Sequence, residues 1–222
     1  MSGQGYNEGR IGEGNSMKKF AVFVSGSGTN LQAIIEAVNR KEIPGQIALV
    51  VSDNPSAYAV VRAKNAGIET FVFNPKDYNS RQDYEKIIVG ELEKRSVDFI
   101  VLAGFMRVLT PFFIRKYKNK ILNIHPALLP SFPGAHGVRD ALNYGVKVTG
   151  VTVHFVDEGV DTGPIIFQEP ERVRDDDTEE SLHQRLHKIE YRIYPLAIKL
   201  FIEDRLVIEG RKVKVKGGED EN

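Results

Sequence analysis

The first half of the chain alternates short apolar runs with longer stretches in which apolar residues recur at helical spacing. The short runs are rich in β-branched and aromatic residues, which predicts buried strands at 20–25, 47–52, 69–74, 98–104 and 121–125. The stretches between them predict helices at 31–40, 57–66, 81–95 and 111–118. Because the strands are apolar throughout and alternate with helices, the pattern predicts a parallel sheet covered on both faces.

The second half of the chain has a different pattern. Residues 150–157 alternate between apolar and polar positions, and 164–173 can pair with them as an antiparallel strand. A long amphipathic helix is predicted at 181–205, with a kink at its internal Pro195, and a terminal hairpin follows, turned at Glu209-Gly210. The predicted fold class is therefore α/β, with a doubly wound, mostly parallel sheet and antiparallel strands in the C-terminal part.

One domain is predicted over 18–215, since no repeat or low-complexity linker interrupts that stretch of the 222-residue chain. The polar, glycine-rich residues 1–17 lack the apolar core of a signal peptide, and we interpret them as a disordered leader or an expression remnant. Residues 216–222 are interpreted as a flexible tail.

The charge balance gives no general electrostatic attraction to polyanions. Thirty basic residues match thirty acidic ones, so no nucleic-acid partner and no membrane partner is predicted. No apolar run approaches the roughly 20 residues that a membrane span needs. The chain has no cysteine, which excludes disulfides and Cys-ligated zinc. We expect a cytoplasmic protein that acts on small molecules. We expect it to be a monomer or a homodimer, and the sequence does not decide between these two states.

Ligands of parallel α/β sheets bind outside the carboxyl ends of the strands, and the loop Ser-Gly-Ser-Gly-Thr-Asn at 25–30 follows the first predicted strand. Its glycines let the backbone approach an anion, and the helix N-terminus offers unpaired N–H groups. The loop lacks the glycine spacing of a dinucleotide site and the lysine of a triphosphate site. It favours a single phosphate monoester; the alternative is a tight turn that only caps the helix.

His125 ends the fifth predicted strand and enters a loop stiffened by Pro126, Pro130 and Pro133. It has three interpretations: a structural histidine, a metal ligand, or a proton and hydrogen-bond donor in catalysis. No His-x-His or HExxH pattern is present, so no metal is predicted. Asn123 lies two residues earlier and projects to the same side of an extended segment, which suits a site for an oxygen that becomes negative during acyl transfer. Pro130 is the first candidate for a cis peptide bond.

An acidic loop at 156–164 joins the two antiparallel strand candidates and carries Asp157, Glu158 and Asp161 among glycines. It is either a solvated hairpin loop or the source of a carboxylate beside His125. A carboxylate in that position would raise the pKa of the histidine, fix its tautomer and accept a proton. Sequence spacing does not decide between the two.

Four stretches of the chain read FVSGSGTNLQAI, VLAGFMRVLT, LNIHPALLPSFPG and VTVHFVDEGVDTGPII. Together they resemble the phosphoribosylglycinamide formyltransferases, a folate-dependent family of purine biosynthesis, over about residues 18–208. The resemblance implies a Rossmann-like formyltransferase fold. It also implies transfer of the formyl group of 10-formyltetrahydrofolate, a co-substrate, to the amine of glycinamide ribonucleotide.

The resemblance implies roles for individual residues. The family's catalytic set is matched by Asn123, His125 and Asp161. The ribonucleotide site is matched by Gly28, Thr29, Asn30, His187 and Glu190. The folate site is matched by Arg81, Met106, Arg107, Val108, Leu109, Asn123, Asp157, Glu158, Gly159, Val160 and Asp161.

Other functions share parts of this pattern. Formyltetrahydrofolate hydrolases and methionyl-tRNA formyltransferases resemble the chain in the Asn-x-His pair and the later aspartate, but they usually carry a further domain for which this chain leaves no room. A non-catalytic nucleotide-binding module would use the loop at 25–30 and keep His125 as a core residue.

Overall fold

The computed structural model describes residues 17–217. The predicted leader lies outside the described residues except for Met17, and so does the predicted tail except for Lys216 and Gly217. Within the described range, all the strands join one sheet. A continuous sheet is compatible with one domain over 18–215, which stays a prediction.

The nine strands of this part of the chain are β1 Lys18–Val24, β2 Gly45–Ser52, β3 Thr70–Val72, β4 Phe99–Leu102, β5 Ile121–His125, β6 Val148–Phe155, β7 Ile165–Arg172, β8 Leu206–Glu209 and β9 Lys212–Val215. The α-helices are α1 Thr29–Asn39, α2 Tyr58–Asn65, α3 Arg81–Lys94, α4 Pro111–Lys116, α5 Gly137–Tyr144 and α6 Glu179–Ile202, with a single 3₁₀ turn at Pro75–Asp77. The predicted elements are present and differ only at their ends, whereas α5 was not predicted.

The strands lie in the order β3-β2-β1-β4-β5-β6-β7-β9-β8. Strands β1 to β5 are parallel, and β6 pairs antiparallel with both β5 and β7. The fold class is therefore confirmed. The chain leaves β1 toward β2 on one side and returns to β4 on the other, and ligands of open α/β sheets bind at such a reversal of strand order.

Alternation along β1 shows why both faces of the sheet are covered. Phe20, Val22 and Val24 face a core that includes residues of α1, α2 and α6. Ala21 and Phe23 face a second core formed with α3 and α4. Successive side chains of a strand point to opposite faces, so a strand between two helical layers must be apolar at every position.

Helix α6 begins at a capping box, in which the side chains of Thr178 and Ser181 each accept from the other's backbone N–H. The helix continues through Pro195, and the predicted kink there stays a prediction. The fully buried hydroxyl of Tyr194 lies 2.7 Å from the carbonyl oxygen of Leu102 and 3.0 Å from that of Leu122. This contact ties α6 to β4 and β5 near the ends that carry the site.

Two local features refine the sequence predictions. The terminal hairpin turns at Gly210-Arg211 and not at Glu209-Gly210, because Glu209 is still paired with Lys212. Gly210 has φ 60°, the left-handed conformation that short hairpin turns require. The Leu129-Pro130 peptide bond is cis.

Candidate active site

A cavity of about 470 Å³ opens at the carboxyl ends of β1, β4 and β5. Its walls come from three loops that follow these strands, from the acidic loop after β6 and from one face of α6. The three loops singled out from the sequence, at 25–30, after His125 and at 156–164, therefore share one cavity, at the edge of the sheet where ligands of such folds bind.

Strand β5 carries Asn123 and His125 into this cavity from the same side of the sheet. His125 is only 4% exposed, and its ring Nε2 lies 2.7 Å from the carbonyl oxygen of Phe132. A carbonyl accepts hydrogen bonds, so Nε2 carries the hydrogen. The other ring nitrogen, Nδ1, is then the one whose protonation can change.

Asp161 meets both side chains of β5 from the acidic loop. Its Oδ2 lies 3.5 Å from Nδ1 of His125 and accepts a 2.8 Å hydrogen bond from the backbone N–H of Gly134. Its Oδ1 lies 3.4 Å from the amide nitrogen of Asn123. Of the two interpretations of the acidic loop, the described chain has the one that brings a carboxylate beside the histidine.

Burial decides the protonation of this cluster. Asp161 raises the pKa of His125, as expected, but its influence does not set the net shift. Burial lowers the pKa of His125, and the opposing influence of Asp161 and of the Phe132 carbonyl is smaller. For Asp161, burial alone raises the pKa, but His154, the Gly134 N–H and His125 together leave it below its ordinary value. At neutral pH the pair is therefore a neutral imidazole beside a carboxylate.

His154 also belongs to the cluster, although no role was predicted for it from the sequence. It is 1% exposed and pairs with Asn123 across β5 and β6. Its Nδ1 donates to the Phe155 carbonyl at 2.8 Å, and its Nε2 lies 3.2 Å from the Asn123 amide nitrogen and 3.5 Å from Oδ1 of Asp161. His154 thereby orients the amide of Asn123. The alternation of apolar and polar residues along β6 was visible in the sequence. The sequence did not show that His154 pairs with Asn123.

The loop between β1 and α1 has the geometry of an anion site. Gly28 has φ 72° and is the residue before the first turn of α1, where backbone N–H groups have no helical partner. A Cβ on Gly28 would lie 2.6 Å from Cβ of Ala59, so α2 packs directly on the loop. Arg62 of α2 donates from Nε to the Ser27 carbonyl at 2.9 Å and holds the loop in place.

Helix α6 faces this loop with Glu190 and His187. The Glu190 carboxylate is 3% exposed and accepts a 2.8 Å hydrogen bond from the amide of Asn30, whose buried Oδ1 has no hydrogen-bond partner among the described residues. Burial raises the pKa of Glu190 to about 7, against the lowering influence of Asn30. Burial and the neighbouring His183 lower the pKa of His187 to about 4.

The segment after β4 forms the opposite wall of the cavity, with the side chains of Met106 and Val108 more than half exposed at the mouth. Arg107 donates from Nε to the buried Asp53 carboxylate at 2.6 Å. Two sequence-predicted folate residues are not part of the cavity lining: Arg81 is exposed at the start of α3, and Glu158 pairs with Arg115 at 2.7 Å. The other predicted site residues all line the cavity.

Over residues 17–217, no group of three or more His, Cys, Asp and Glu side chains is arranged to hold a metal ion. The same part of the chain contains no helix that is long and apolar enough to cross a membrane.

Comparisons with known proteins show which family this chain resembles. A family model described as formyl transferase matches residues 18–198. The phosphoribosylglycinamide formyltransferase of Bacillus subtilis is 45% identical over 183 residues, which are 82% of this chain and 94% of the relative. The crystal structure of glycinamide ribonucleotide transformylase 1 from Symbiobacterium toebii is 47% identical with a TM-score of 0.89, covering 94% of this chain and 98% of that one.

A more distant structure is also similar. A formyltetrahydrofolate deformylase from Pseudomonas syringae is 27% identical with a TM-score of 0.83, and the match covers 90% of this chain but 66% of the deformylase. With a family model over most of its length and relatives above 40% identity, this chain belongs to the formyl transferase family.

Proposed function

We propose that the protein transfers the formyl group of 10-formyltetrahydrofolate to the amine of glycinamide ribonucleotide, a step of purine biosynthesis. One observation carries the proposal: the Asn123, His125 and Asp161 cluster shares a single cavity with the phosphate-type loop at 25–30. The relatives named above, which are phosphoribosylglycinamide formyltransferases, support the choice of substrates.

The ribonucleotide takes the α1 side of the cavity in this proposal. Its phosphate accepts hydrogen bonds from the backbone of Gly28, Thr29 and Asn30 at the positive end of the α1 dipole. Glu190 and His187 then lie beside the sugar and the glycinamide group. This orientation directs the amine toward β5, where the reacting atoms must meet.

The formyl donor takes the other side, between the wall at 104–109 and the loop containing Asp157, Gly159, Val160 and Asp161. The exposed Met106, Val108 and Val160 give this mouth an apolar surface suited to a planar ring. Arg81 and Glu158 remain outside the set that the proposal uses.

The reaction begins when the neutral amine attacks the formyl carbon and the C=O electron pair moves to the oxygen. The Asn123 amide stabilises that oxyanion by a hydrogen bond, and His125 becomes a second donor once its Nδ1 has taken up the amine proton. The amine proton passes by way of Asp161, directly or through water, to Nδ1 of His125, whose imidazolium the Asp161 carboxylate supports. The same proton is then returned to N10 as the C–N10 bond breaks. The products are the N-formyl ribonucleotide and tetrahydrofolate, with no net proton consumed.

The nearest alternative is a hydrolase that uses water in place of the amine, and the Pseudomonas syringae deformylase is the observation that favours it. The two functions are separated by mixing the protein with 10-formyltetrahydrofolate, with and without the ribonucleotide. We predict release of tetrahydrofolate only when the ribonucleotide is present. Release in its absence would select the hydrolase, and no release in either reaction would select a binding module.

The proposal also covers the location, the domain organisation, the metal requirement and the oligomeric state of the protein. We propose that the protein works in the cytoplasm, that residues 18–215 form a single domain and that it acts without a metal ion, as monomer or homodimer. The absence of cysteine and the continuous sheet support the first two.

A further inference from the structure

The wall at 104–109 lacks the hydrogen bonds that normally hold a backbone in place. Among the described residues, 104–109 take part in no backbone-to-backbone hydrogen bond. The nearest such bonds on either side are from the Ala103 N–H to Phe23 and from the Ile114 N–H to Thr110. The backbone groups of Arg107, Val108 and Leu109 are therefore free to meet the polar edge of a ligand, but the segment does not set its own shape.

Hydrogen bonds from outside the segment set that shape instead. The Met106 N–H donates to Oγ of Ser25 at 2.8 Å, and Arg107 Nε donates to Asp53. At the far end, the Thr110 N–H donates to Glu85 at 2.8 Å, and the Thr110 hydroxyl donates to the second oxygen of the same carboxylate. Among the described residues, Glu85 is thus the only group that accepts hydrogen bonds from both the N–H and the hydroxyl of Thr110.

Glu85 is unusual in its burial. It lies on the inner face of α3 and is 0% exposed, although fully buried carboxylates are rare without a charged partner. Burial raises the pKa of Glu85, and the hydroxyl and N–H of Thr110 lower it only in part. An apolar residue at this position would leave the N–H and the hydroxyl of Thr110 without their acceptor. Its burial therefore points to a role in geometry.

Thr110 supports the same interpretation. It is the residue before the first turn of α4, where a threonine side chain commonly caps the helix, yet its side chain makes no capping hydrogen bond. Its hydroxyl is directed to Glu85 instead. The preceding residue, Leu109, is 6% exposed and lines the cavity, so the position of Thr110 fixes where the end of the wall stands.

We propose that Glu85 is a positioning residue for the formyl donor: through Thr110 it holds the wall at 104–109 in the shape that receives the folate ring. The inference rests on the proposed function. Glu85 touches neither substrate, and its hydrogen bonds act at the Thr110 end of the wall. The loop at 25–30 meets the other end, at Met106, and is held mainly by contacts of its own with α2 and α6.

The test compares Thr110→Val with Thr110→Ser. Valine keeps the shape of threonine but removes the hydroxyl that donates a hydrogen bond to Glu85. Serine retains that hydroxyl. We expect Thr110→Val to raise the KM for 10-formyltetrahydrofolate and the Kd for tetrahydrofolate about tenfold, while the ribonucleotide KM stays within about twofold. Thr110→Ser should restore the wild-type values, and Glu85→Gln combined with Thr110→Val should be no worse than the more affected single variant.

Ser80→Ala is the matched control. Ser80 caps α3, the helix that carries Glu85, by accepting from the Asp83 N–H at 3.2 Å, and its loss weakens that helix without touching Thr110. This variant should leave both KM values unchanged. An unchanged folate Kd in folded Thr110→Val, or an equal rise of both KM values, would overturn the positioning role. A wild-type protein that binds no tetrahydrofolate would overturn the proposed function as well, so the two failures are distinguishable.

Discussion

At the scale of single residues, the site consists of acceptors and donors whose hydrogens are already assigned by their surroundings. Nε2 of His125 donates to Phe132, and Nδ1 of His154 donates to Phe155, so Nδ1 of the neutral His125 ring is an acceptor. The Asn123 amide is the donor between them. A proton that arrives at Nδ1 of His125 therefore finds the Asp161 carboxylate in place to stabilise it.

Replacing His125 with alanine removes one of the two proposed oxyanion donors and the proton carrier. We expect kcat to fall by about 10²–10³-fold, the usual loss for an oxyanion donor, with both KM values changed only a few-fold. Steady-state kinetics on a variant shown to be folded by its melting curve provide the measurement. Near-normal turnover would remove His125 from the mechanism.

Glu190 provides a prediction about stability. Its pKa in the folded protein is about 7, above the ordinary value of 4.5, so the folded state favours the neutral carboxyl. Its contribution to stability is fully present below about pH 4.5 and is lost as the pH rises to about 7, a change of roughly 3 kcal/mol from a shift of that size. Glu190→Gln is neutral at every pH.

The free energy of unfolding of Glu190→Gln, relative to wild type, should therefore increase by roughly 2–4 kcal/mol between pH 5 and pH 8. Denaturant unfolding of both proteins at the two pH values measures this difference, and the other titrating groups cancel in the comparison. A difference that does not vary with pH would show that the carboxylate is ionised throughout this range.

Asn123 and His125 were predictable because side chains two apart on a strand share a face. The part played by His154 was not, because the sequence of a strand does not encode which partner residue it pairs with across the sheet. Likewise, the contact of Asp161 with His125 spans a loop whose path depends on tertiary packing. Only resemblance to a family pointed to it before the structure.

At the scale of elements, the loop between β1 and α1 is shaped by its contact with α2. Two independent constraints act on Gly28: a left-handed backbone and the close approach of Ala59. Gly67 has a similar φ of 69° but no atom within 4 Å of a Cβ built on it, so it isolates the backbone constraint from the packing constraint. The pair therefore offers a controlled comparison.

Gly67→Ala should cost about 1 kcal/mol, the price of a left-handed backbone for a residue with a Cβ, and should leave the kinetics unchanged. Gly28→Ala should cost at least about 1–3 kcal/mol more, because its Cβ overlaps Ala59. It should also raise the ribonucleotide KM more than the formyl-donor KM, since the anion-binding N–H groups move. Thermal unfolding and steady-state kinetics of both variants are required. Equal ribonucleotide KM values in the two would assign the loop a structural role only.

Strongly periodic elements were predictable, and weakly patterned ones were not. Helix α5 follows a loop rich in proline and begins after His136 without a capping side chain, so the sequence carried no signal for its start. The predicted hairpin turn was misplaced by one residue. The sequence does not show whether Glu209 belongs to the strand or to the turn, and its pairing with Lys212 places it in the strand.

At the scale of the whole molecule, the strand order brings every proposed functional segment to one edge of the sheet. The reversal at β1 places the loop at 25–30 and the wall at 104–109 side by side, and the antiparallel β6 returns the acidic loop to β5. The sheet class followed from the alternation of apolar strands and helices. Its strand order and the cavity did not, because they depend on which helices pack on which face.

The central claim is that this one cavity joins a formyl donor to a ribonucleotide amine. The most direct measurement uses 10-formyltetrahydrofolate labelled in the formyl group, incubated with the protein and glycinamide ribonucleotide, and follows the position of the label. We predict that the label appears on the amine of the ribonucleotide in step with the release of tetrahydrofolate. Label recovered as free formate, at a rate that does not depend on the ribonucleotide, would contradict the claim.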